Sequence, residues 1–164
     1  SPEELYAFYQ RIQKEFQTFG FGLYAVERKE DHAFMDTPIT FDVDFTPGIE
    51  IGWRLVNEYW GHGYAPEAAN ACLEYTCQKL DIKELYSFTS LLNLRSERVM
   101  QKIGMIYMKE FDHPLIPAEN PLLRHVVYHI GLNEKDNGKL EKHNRLFQIS
   151  RHVLKKPKIS LVPY

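Results

Sequence analysis

The stretch WGHGYAPEA, residues 60–68, constrains the fold of this 164-residue chain more than any other segment. Two glycines, Gly61 and Gly63, bracket a histidine between a strand-like run and an alanine-rich helix. Glycine costs backbone entropy and offers no side chain to pack, so this corner needs bare or left-handed backbone. Pro66 suits the first helical turn, where its missing N–H costs nothing. A strand, a glycine-rich turn and a helix start form an arrangement that binds phosphate, since free N–H groups and the helix dipole favour an anion.

Two familiar phosphate-binding motifs do not fit this corner. No Lys-Ser or Lys-Thr pair follows the glycines, which excludes a nucleoside-triphosphate loop. The sequence has no third glycine at dinucleotide spacing and no early βαβ unit, which argues against a Rossmann site. Glu67 lies in the first turn of the predicted helix and weighs against an anion. Taken by itself, the corner is equally compatible with a tight turn that binds no ligand.

The composition is that of a folded domain, since 44% of the residues are hydrophobic and 13% are aromatic. The net charge of −2 gives no general attraction to nucleic acid or to a membrane. No apolar run approaches the roughly 20 residues that span a bilayer, and no signal peptide is visible. Cys72 and Cys77 are five positions apart on a predicted helix and point in different directions. They therefore predict reduced core thiols in a cytoplasmic protein, with neither a disulfide nor a zinc site.

Hydrophobic periodicity and turn residues predict an α+β chain. A capping box at Ser1 and Glu4 opens an amphipathic helix that Gly20 ends. Between residues 30 and 48, Pro38 and three aspartates interrupt a strand-like pattern, so no central strand is predicted there. The predicted helices are residues 1–20, 66–80 and 94–104, and the predicted strands are 21–29, 48–56, 84–92, 105–111 and 124–131.

Residues 132–164 differ in charge from the rest of the chain. They hold eight Lys and Arg against three Asp and Glu, a local charge of +5. Residues 1–131 hold twelve against nineteen, which gives −7. We therefore predict a folded domain over 1–131 and a basic extension over 132–164. A solvated, partly helical tail that packs on the domain or on a neighbour explains the extension. A nucleic-acid or ribosome contact is the alternative, although the tail lacks the interleaved aromatic residues of a single-strand binder.

Two motifs in order carry a family resemblance. WGHGYAPEA is followed some thirty residues later by NLRSERVMQKIGM, residues 93–105. Together they resemble the GNAT superfamily of acyl-CoA-dependent N-acetyltransferases. More narrowly they resemble the RimJ/RimL-like branch of ribosomal-protein N-terminal acetyltransferases, which carries W-G-x-G-x-A-x-E-A and N-x-x-S-x-x-V-x-x-x-x-G-M. The resemblance runs from Ser1 to about Gly131, and IEIGWRL at residues 49–55 matches the central strand of that branch.

The resemblance implies a GNAT-type fold with a mixed central sheet flanked by helices and without the usual first strand of the family. It also implies acetyl-CoA as co-substrate, and no metal. In that family the glycine corner holds the coenzyme diphosphate, and the pantetheine arm lies between two splayed strands. The expected coenzyme-binding residues are Trp60, Gly61, His62, Gly63, Tyr64 and Ala65 at the corner, Trp53, Arg54 and Leu55 along the arm, and Asn93 after the next strand.

Transfer of an acetyl group to an amine requires removal of a proton from the ammonium, a donor for the oxyanion and protonation of the leaving thiolate. Glu50 is the first candidate for the base, directly or through water; the plainer interpretation is a strand glutamate paired with Arg54 or a neighbour. Ser96 lies where this branch places a serine near the coenzyme sulfur, but a serine in a first helical turn is also a common cap. Met100 replaces the tyrosine that many family members use as the acid, so that mechanism does not transfer.

The segment FDHPLIPAENPLLRH also resembles a subset of this branch. It implies that Asp112, His113 and His125 bind the amine acceptor, with histidine able to exchange protons near neutral pH. Structural hydrogen bonding in a loop and at a strand end is the alternative for all three residues.

We therefore expect an acetyl-CoA-dependent N-acetyltransferase that acts on a protein N-terminus or a small amine. The second hypothesis is a non-catalytic acyl-CoA-binding or protein-interaction module on a degenerate GNAT fold. A third is a ribosome- or RNA-associated module that uses the basic extension, and steep salt dependence would mark it. Neither a membrane nor nucleic acid is the expected partner. A homodimer, in which a second chain supplies the missing sheet edge, is a further alternative.

Overall fold

The structure is a computed structural model that describes residues 1–35, 48–132 and 158–163. Segment 36–47, which includes most of the interrupted strand-like pattern, and residues 133–157 of the basic extension lie outside these described residues. The described residues fall into two compact units, one of residues 1–35, 51–80 and 158–163 and the other of residues 48–50 and 81–132. Among them, no helix combines the length and the apolar character needed to cross a membrane.

The elements follow the order of the chain. They are α1 (Pro2–Phe19), β1 (Tyr24–Arg28), β2 (Ile49–Glu50), a 3₁₀ turn (Asn57–Tyr59), α2 (Tyr64–Lys79), β3 (Glu84–Ser90), α3 (Leu94–Lys102), β4 (Ile106–Asp112), β5 (Arg124–Gly131) and β6 (Ile159–Pro163).

The first unit contains α1, α2 and a two-stranded antiparallel sheet of β1 and β6. The predicted start and end of α1 are confirmed: the Ser1 hydroxyl accepts a hydrogen bond from the Glu4 N–H at 3.3 Å, and Gly20 ends the helix with φ 76°. The hydrophobic stripe of this helix, however, is not buried. Ile12 is its one buried residue, while Leu5 is 70% exposed. Periodicity predicted the helix correctly, but a helical stripe becomes buried only where a packing partner covers it.

Helix α2 is buried more deeply than α1, although its sequence is less amphipathic. The small residues Ala68, Ala69 and Cys72 are almost fully buried along it, and small side chains allow close packing of neighbouring backbone. Cys72 and Cys77 are both free thiols, as predicted. Burial raises the pKa of the Cys72 thiol to about 12, so at neutral pH it is an inert core residue.

The predicted strand over residues 48–56 is correct only at its beginning, because β2 contains just Ile49 and Glu50. These two residues pair in parallel with β3, and the ladder ends there. Beyond it the backbone has other partners, since the Val56 N–H donates to the Met35 carbonyl at 3.5 Å. Alternating side chains predicted an extended chain there, but a strand also needs a neighbouring strand to bond to.

At residues 159–163, strand β6 shows the predicted packing of the extension on the domain, but it corrects the prediction that this part is solvated and partly helical. Its five residues pair antiparallel with all of β1, and Val26 faces Leu161 in the register. Ile159 is 5% exposed. The last part of the basic extension is therefore an integral strand of the first unit.

The second unit is a four-stranded mixed sheet in the order β2-β3-β5-β4, with α3 in contact with β3. Strand β2 is parallel to β3, whereas β5 is antiparallel to both β3 and β4. The predicted strands of the β3, β4 and β5 regions and the predicted short helix before Gly104 are confirmed. The buried side chains of this unit include Leu85, Met100, Ile103, Val126 and Ile130.

Candidate functional site

The glycine corner before α2 has left-handed backbone at both glycines. Gly61 has φ 79° and Gly63 has φ 83°, a region that costs other residues roughly 1–2 kcal/mol. Among the described residues, a Cβ built on either glycine would meet no atom within 4 Å beyond its chain neighbours. Backbone conformation, and not crowding by these atoms, therefore favours glycine here.

The corner also carries a run of unused hydrogen-bond donors. Within the described part of the chain, the backbone N–H groups of residues 61–65 have no acceptor, and Gly63 caps α2 without any side-chain hydrogen bond. Trp60 differs from its neighbours. Its backbone N–H donates to the Asn57 carbonyl at 3.1 Å, and its indole N–H donates to the Leu55 carbonyl at 2.8 Å. Of the amides predicted to face a phosphate, that of Trp60 is therefore already bonded, whereas those of residues 61–65 are the candidates that remain.

Aromatic and basic side chains surround the corner within the first unit. The Tyr64 ring, 8% exposed, lies 5.7 Å from the exposed His62 ring and 6.4 Å from the Tyr59 ring. The ammonium group of Lys158 lies 5.6 Å from the centre of the Tyr64 ring. Arg28 stacks on Tyr59 with its guanidinium carbon 5.3 Å from the ring centre. The corner thus combines backbone donors with positive charge, which is the chemistry that binds an anion.

The three residues predicted along the coenzyme arm belong to the same unit as the corner. Trp53 and Leu55 are half-buried, whereas Arg54 is exposed. They follow β2 outside the strands of the described residues, and the Leu55 carbonyl accepts the Trp60 indole N–H.

The second unit places Asn93 and Ser96 together at the start of α3. The Asn93 carboxamide oxygen accepts the Ser96 N–H at 3.3 Å, and its NH₂ group donates to the Ser96 hydroxyl oxygen at 3.0 Å. Asn93 is therefore the cap of α3, and Ser96 is part of the capping arrangement. Because the Ser96 hydroxyl accepts from Asn93, its own hydrogen is still available for donation. Ser96 is thus not the cap itself but donates its N–H to the cap, Asn93, and this position is compatible with a donor role for its hydroxyl.

Glu50 is the last residue of β2 and lies opposite Tyr86 of β3 in the register. Its side chain is half-buried. The neighbouring Gly48 allows the Tyr86 ring to approach the strand closely, since a Cβ at this position would lie 2.8 Å from the ring. The carboxylate is thus carried by an ordered strand end that packs against an aromatic residue.

His113 and His125 form a cluster with two phenylalanines in the second unit. The two imidazole rings are 4.9 Å apart, and the Phe88 ring lies about 6 Å from each, at 5.9 and 6.0 Å. Phe111 lies 5.6 Å from His125. Burial, and then the charge of His125, lower the pKa of His113. The neutral form of His113 is therefore favoured at neutral pH.

Backbone hydrogen bonds assign different tautomers to these histidines. His125 Nδ1 lies 3.1 Å from the Leu123 carbonyl, an acceptor, so Nδ1 carries the hydrogen and Nε2 is basic. His113 Nδ1 accepts the Leu115 N–H at 3.3 Å, so its Nε2 carries the hydrogen in the neutral ring. One ring thus presents an acceptor and the other a donor.

Asp112 is held by an ion pair with Arg124, whose guanidinium lies 3.1 Å from Asp112 and 3.3 Å from Glu110. The hydrogen bond that Arg124 donates to Asp112 is the main cause that raises the pKa of Arg124. Because it is paired with Arg124, Asp112 has a structural role on β4 and is also a candidate contact for the amine acceptor. Among the described residues, no group of three or more His, Cys, Asp or Glu side chains is arranged to hold a metal.

A comparison with protein families tests the resemblance inferred from the two motifs. A family described as "Acetyltransferase (GNAT) domain" matches residues 1–106, which is more than half of the chain. The chain belongs to the GNAT acetyltransferase family. The predicted α+β class with a mixed sheet of GNAT type is thereby confirmed.

Relatives of this GNAT chain include proteins of bacteria and fungi. The uncharacterized protein YkkB of Bacillus subtilis is 31% identical over 99 residues, which cover 59% of this chain and 58% of YkkB. An Aspergillus fumigatus protein named FsC-acetyl coenzyme A-N(2)-transacetylase is 32% identical over 76 residues, 46% of this chain and 31% of that protein. A crystal structure of a GNAT-family acetyltransferase from Bacillus anthracis is similar with a TM-score of 0.59 and 30% identity, covering 70% of this chain and 69% of that one. The match thus spans little more than half of the first relative and about a third of the second.

Within each unit, the structure places further residues beside the predicted ones that the sequence did not indicate. Phe88 and Phe111 enclose the predicted histidines, and Lys158 lies at the glycine corner. The Lys158 backbone bonds to Glu67, which is 91 positions away in the sequence. The sequence showed a lysine-rich run before β6, but no local pattern says which lysine of such a run reaches a site.

Proposed function

We propose that the chain catalyses the transfer of an acetyl group from acetyl-CoA to a primary amine. The observation that carries this proposal is the open glycine corner, where the N–H groups of residues 61–65 have no described acceptor beside a helix N-terminus. Membership of the GNAT family supports the assignment of these donors to a coenzyme diphosphate. The name of the Aspergillus relative, an acetyl coenzyme A transacetylase, supports the same chemistry.

The coenzyme contacts follow from this placement. Backbone donors of residues 61–65 hold the diphosphate, and the dipole of α2 adds roughly half a positive charge at the same place. Trp53 and Arg54 lie outside the ladders of the described residues and offer their backbone to the pantetheine arm, whereas the Leu55 carbonyl already accepts from Trp60. Asn93 is assigned to the coenzyme by its motif, with its carboxamide already orienting Ser96.

Two residues of the second unit are assigned to proton transfer. Glu50, at the end of β2, accepts the proton that the attacking ammonium must lose, directly or through water. Ser96 donates its hydroxyl hydrogen toward the leaving thiolate, because its oxygen already accepts from Asn93. The histidine pair binds the acceptor amine together with Asp112, since His125 Nε2 is basic and Asp112 is anionic.

The acceptor is a protein N-terminus or a small primary amine. The motifs favour the RimJ/RimL-like branch and hence a protein N-terminus. The free thiols Cys72 and Cys77 support a reducing compartment, the cytoplasm.

The test compares coenzyme affinity with turnover in three variants. Acetyl-CoA binding is measured by calorimetry, and thiol release is measured with a panel of amines and N-terminal peptides. We expect Glu50→Gln and Ser96→Ala to lower kcat by about 10²-fold or more, a typical size for loss of acid–base catalysis, and to keep the coenzyme Kd within about twofold. Glu30→Gln, at an exposed carboxylate of the first unit, is the matched control and should change neither quantity.

Several outcomes would contradict the proposal. A folded parent chain that does not bind acetyl-CoA would refute the assignment of the corner. Binding without turnover on any amine would favour the non-catalytic acyl-CoA module. Full activity in Glu50→Gln would remove Glu50 as the base while leaving the transferase assignment intact.

A further inference from the structure

Lys158 is the residue before β6, and its backbone is fixed on two sides. The Lys158 N–H donates to the Glu67 carboxylate at 2.7 Å, and its carbonyl accepts the Lys29 N–H at 2.9 Å. Glu67 belongs to the first turn of α2, and Lys29 follows β1 directly. Lys158 is therefore held between the start of α2 and the end of β1.

The side chain of Lys158 reaches the glycine corner from this position. Its ammonium donates to the His62 carbonyl at 3.3 Å and lies 5.6 Å from the centre of the Tyr64 ring. His62 lies between the two glycines, so the ammonium group is adjacent to the backbone that the proposed function assigns to the coenzyme diphosphate. An ammonium group with three N–H donors keeps donors for a second partner while it holds one carbonyl.

The charge of Lys158 is not neutralised within the described residues, since no carboxylate there lies within 4 Å of its ammonium group. The other cation near the corner, Arg28, differs in this respect. Its guanidinium is engaged by both oxygens of Asp31, the first at 2.8 Å. Arg28 is thus a paired charge, whereas Lys158, among the described residues, has no carboxylate partner and can compensate an anion at the corner.

We propose that Lys158 is a binding residue for the coenzyme diphosphate, so that β6 and the end of the basic extension are part of the coenzyme site. This inference rests on the proposed function and deepens it. Backbone N–H groups supply partial charges to a phosphate, whereas lysine supplies a full one. The C-terminal strand is in this way coupled to coenzyme binding.

Glu67 is a positioning residue in this arrangement. A carboxylate in the first turn of α2 would repel an anion at the corner if it pointed there. Instead, one of its oxygens accepts the Lys158 N–H, which fixes the start of β6 and places a cation beside the corner. The negative charge of Glu67 is unfavourable for an anion at the corner, and the Lys158 ammonium that Glu67 helps to position offsets it.

The test is a calorimetric titration of the full chain with acetyl-CoA. Lys158→Gln removes the charge but keeps a donor for the His62 carbonyl, and we expect it to weaken the coenzyme by about tenfold or more, the size of a lost hydrogen bond to a charged group. Lys158→Arg should keep most of the affinity, and the Kd of Lys158→Gln should depend less on salt than that of the parent. Lys79→Gln, at the opposite end of α2, is the charge-matched control and should stay within about twofold.

A second ligand separates the two phosphate groups of the coenzyme. Dephospho-CoA has the diphosphate but no 3′-phosphate, and the loss caused by Lys158→Gln should be the same for both ligands. A loss seen only with the 3′-phosphorylated coenzyme would overturn the assignment to the diphosphate.

The outcomes also distinguish this inference from the proposed function. If the parent binds acetyl-CoA and Lys158→Gln binds it equally well, Lys158 has no part in the site and the inference is wrong, while the transferase proposal stands. If the parent fails to bind, both are refuted. If Lys158→Gln does not fold, the readout is acylation of Lys158 in the parent by an amine-reactive ester: saturating acetyl-CoA should slow it, and an unchanged rate would refute the inference.

Discussion

The starts of α2 and α3 differ in how they treat the backbone N–H groups of the first helical turn. At the start of α3, the Asn93 side chain accepts the Ser96 N–H and closes the first turn. At the start of α2, Gly63 has no side chain, and the N–H groups around it have no acceptor among the described residues. A helix N-terminus leaves N–H groups without intrahelical partners, and these can be satisfied by a cap or by a ligand.

This difference indicates that a ligand is expected at the start of α2 and not at the start of α3. Side-chain capping is worth about 1 kcal/mol to a helix, and α2 does without it. The glycines also adopt left-handed backbone, which directs the chain around open space. A corner that leaves its donors uncapped, in a GNAT chain, is the one prepared for an anionic coenzyme, whereas the Asn93 corner orients a single hydroxyl.

The largest expected effect comes from closing the open corner with Gly63→Val. A β-branched residue is strained at φ 83°, and its side chain would occupy space at the corner that the described residues leave empty. We expect acetyl-CoA to bind at least about tenfold more weakly, because shifting the backbone or blocking the space removes several charge-assisted contacts. Calorimetry measures the change.

Gly20→Val is the matched control for this prediction. Gly20 has nearly the same backbone, with φ 76°, but it ends α1 and has Leu80 at an ordinary contact distance of 3.9 Å. Both variants should lose similar stability, and Gly63→Val alone should lose the coenzyme. Equal loss of affinity in both would mean that general destabilisation, and not the corner, controls binding.

A second prediction uses a small anion to tell the corners apart. Inorganic pyrophosphate should raise the thermal midpoint of the parent by a few degrees at about tenfold its Kd, as any ligand of the native state does. Asn93→Ala should retain this rise and Gly63→Val should lose it. Thermal unfolding followed by circular dichroism is sufficient, with sodium chloride at matched ionic strength in the reference. A rise that survives in Gly63→Val would place the anion elsewhere.

The sequence predicted most elements whose signals are local. The capping box and Gly20 delimited α1, and Gly104 follows α3 as expected. The sequence also indicated the unusual backbone of the glycine corner, since both glycines have positive φ, but its role in binding stays a prediction. What the sequence overestimated was burial along α1: its stripe is regular, yet Leu5 is 70% exposed, because burial depends on a partner and not on the helix.

The parts that the sequence missed depend on contacts between distant segments. Strand β6 pairs with β1 across more than a hundred residues, and its short run ISLVP follows a basic segment that resembles a solvated tail. The strand predicted to reach residue 56 ends at Glu50 because its ladder ends there. The candidate site also combines residues with local sequence signals and residues placed by contacts between distant segments. Its motif residues were named from the sequence, but Lys158 became visible only when the fold placed it beside His62.

A third prediction concerns the closed corner. Asn93→Ala removes the acceptor for the Ser96 N–H and the donor to the Ser96 hydroxyl, both in one substitution. We expect the free energy of unfolding to fall by about 1 kcal/mol, the usual value of such a cap. Urea unfolding measures it, and Ser96→Ala is the comparison, since the N–H bond to Asn93 persists there and the loss should be smaller. Equal losses would show that the hydroxyl, not the cap, stabilises α3.

The smallest expected effect is a pH dependence confined to the unit that contains the closed corner. Burial and the charge of His125 hold the pKa of His113 below its ordinary value of 6.5. The unfolded chain therefore binds a proton more readily than the folded one, so stability is complete above pH 6.5 and falls as the pH drops toward the folded pKa of His113. Hydrogen exchange at pH 7 and pH 5.5 should show reduced protection in β4 and β5 and little change in α2. This loss of protection at pH 5.5 should disappear in His113→Gln and persist in His32→Gln, whose ring is exposed.

If His113→Gln still loses protection at pH 5.5, another group controls the acid sensitivity. If α2 loses protection equally, the two corners do not respond to acid independently, and the comparison between them holds for ligands alone.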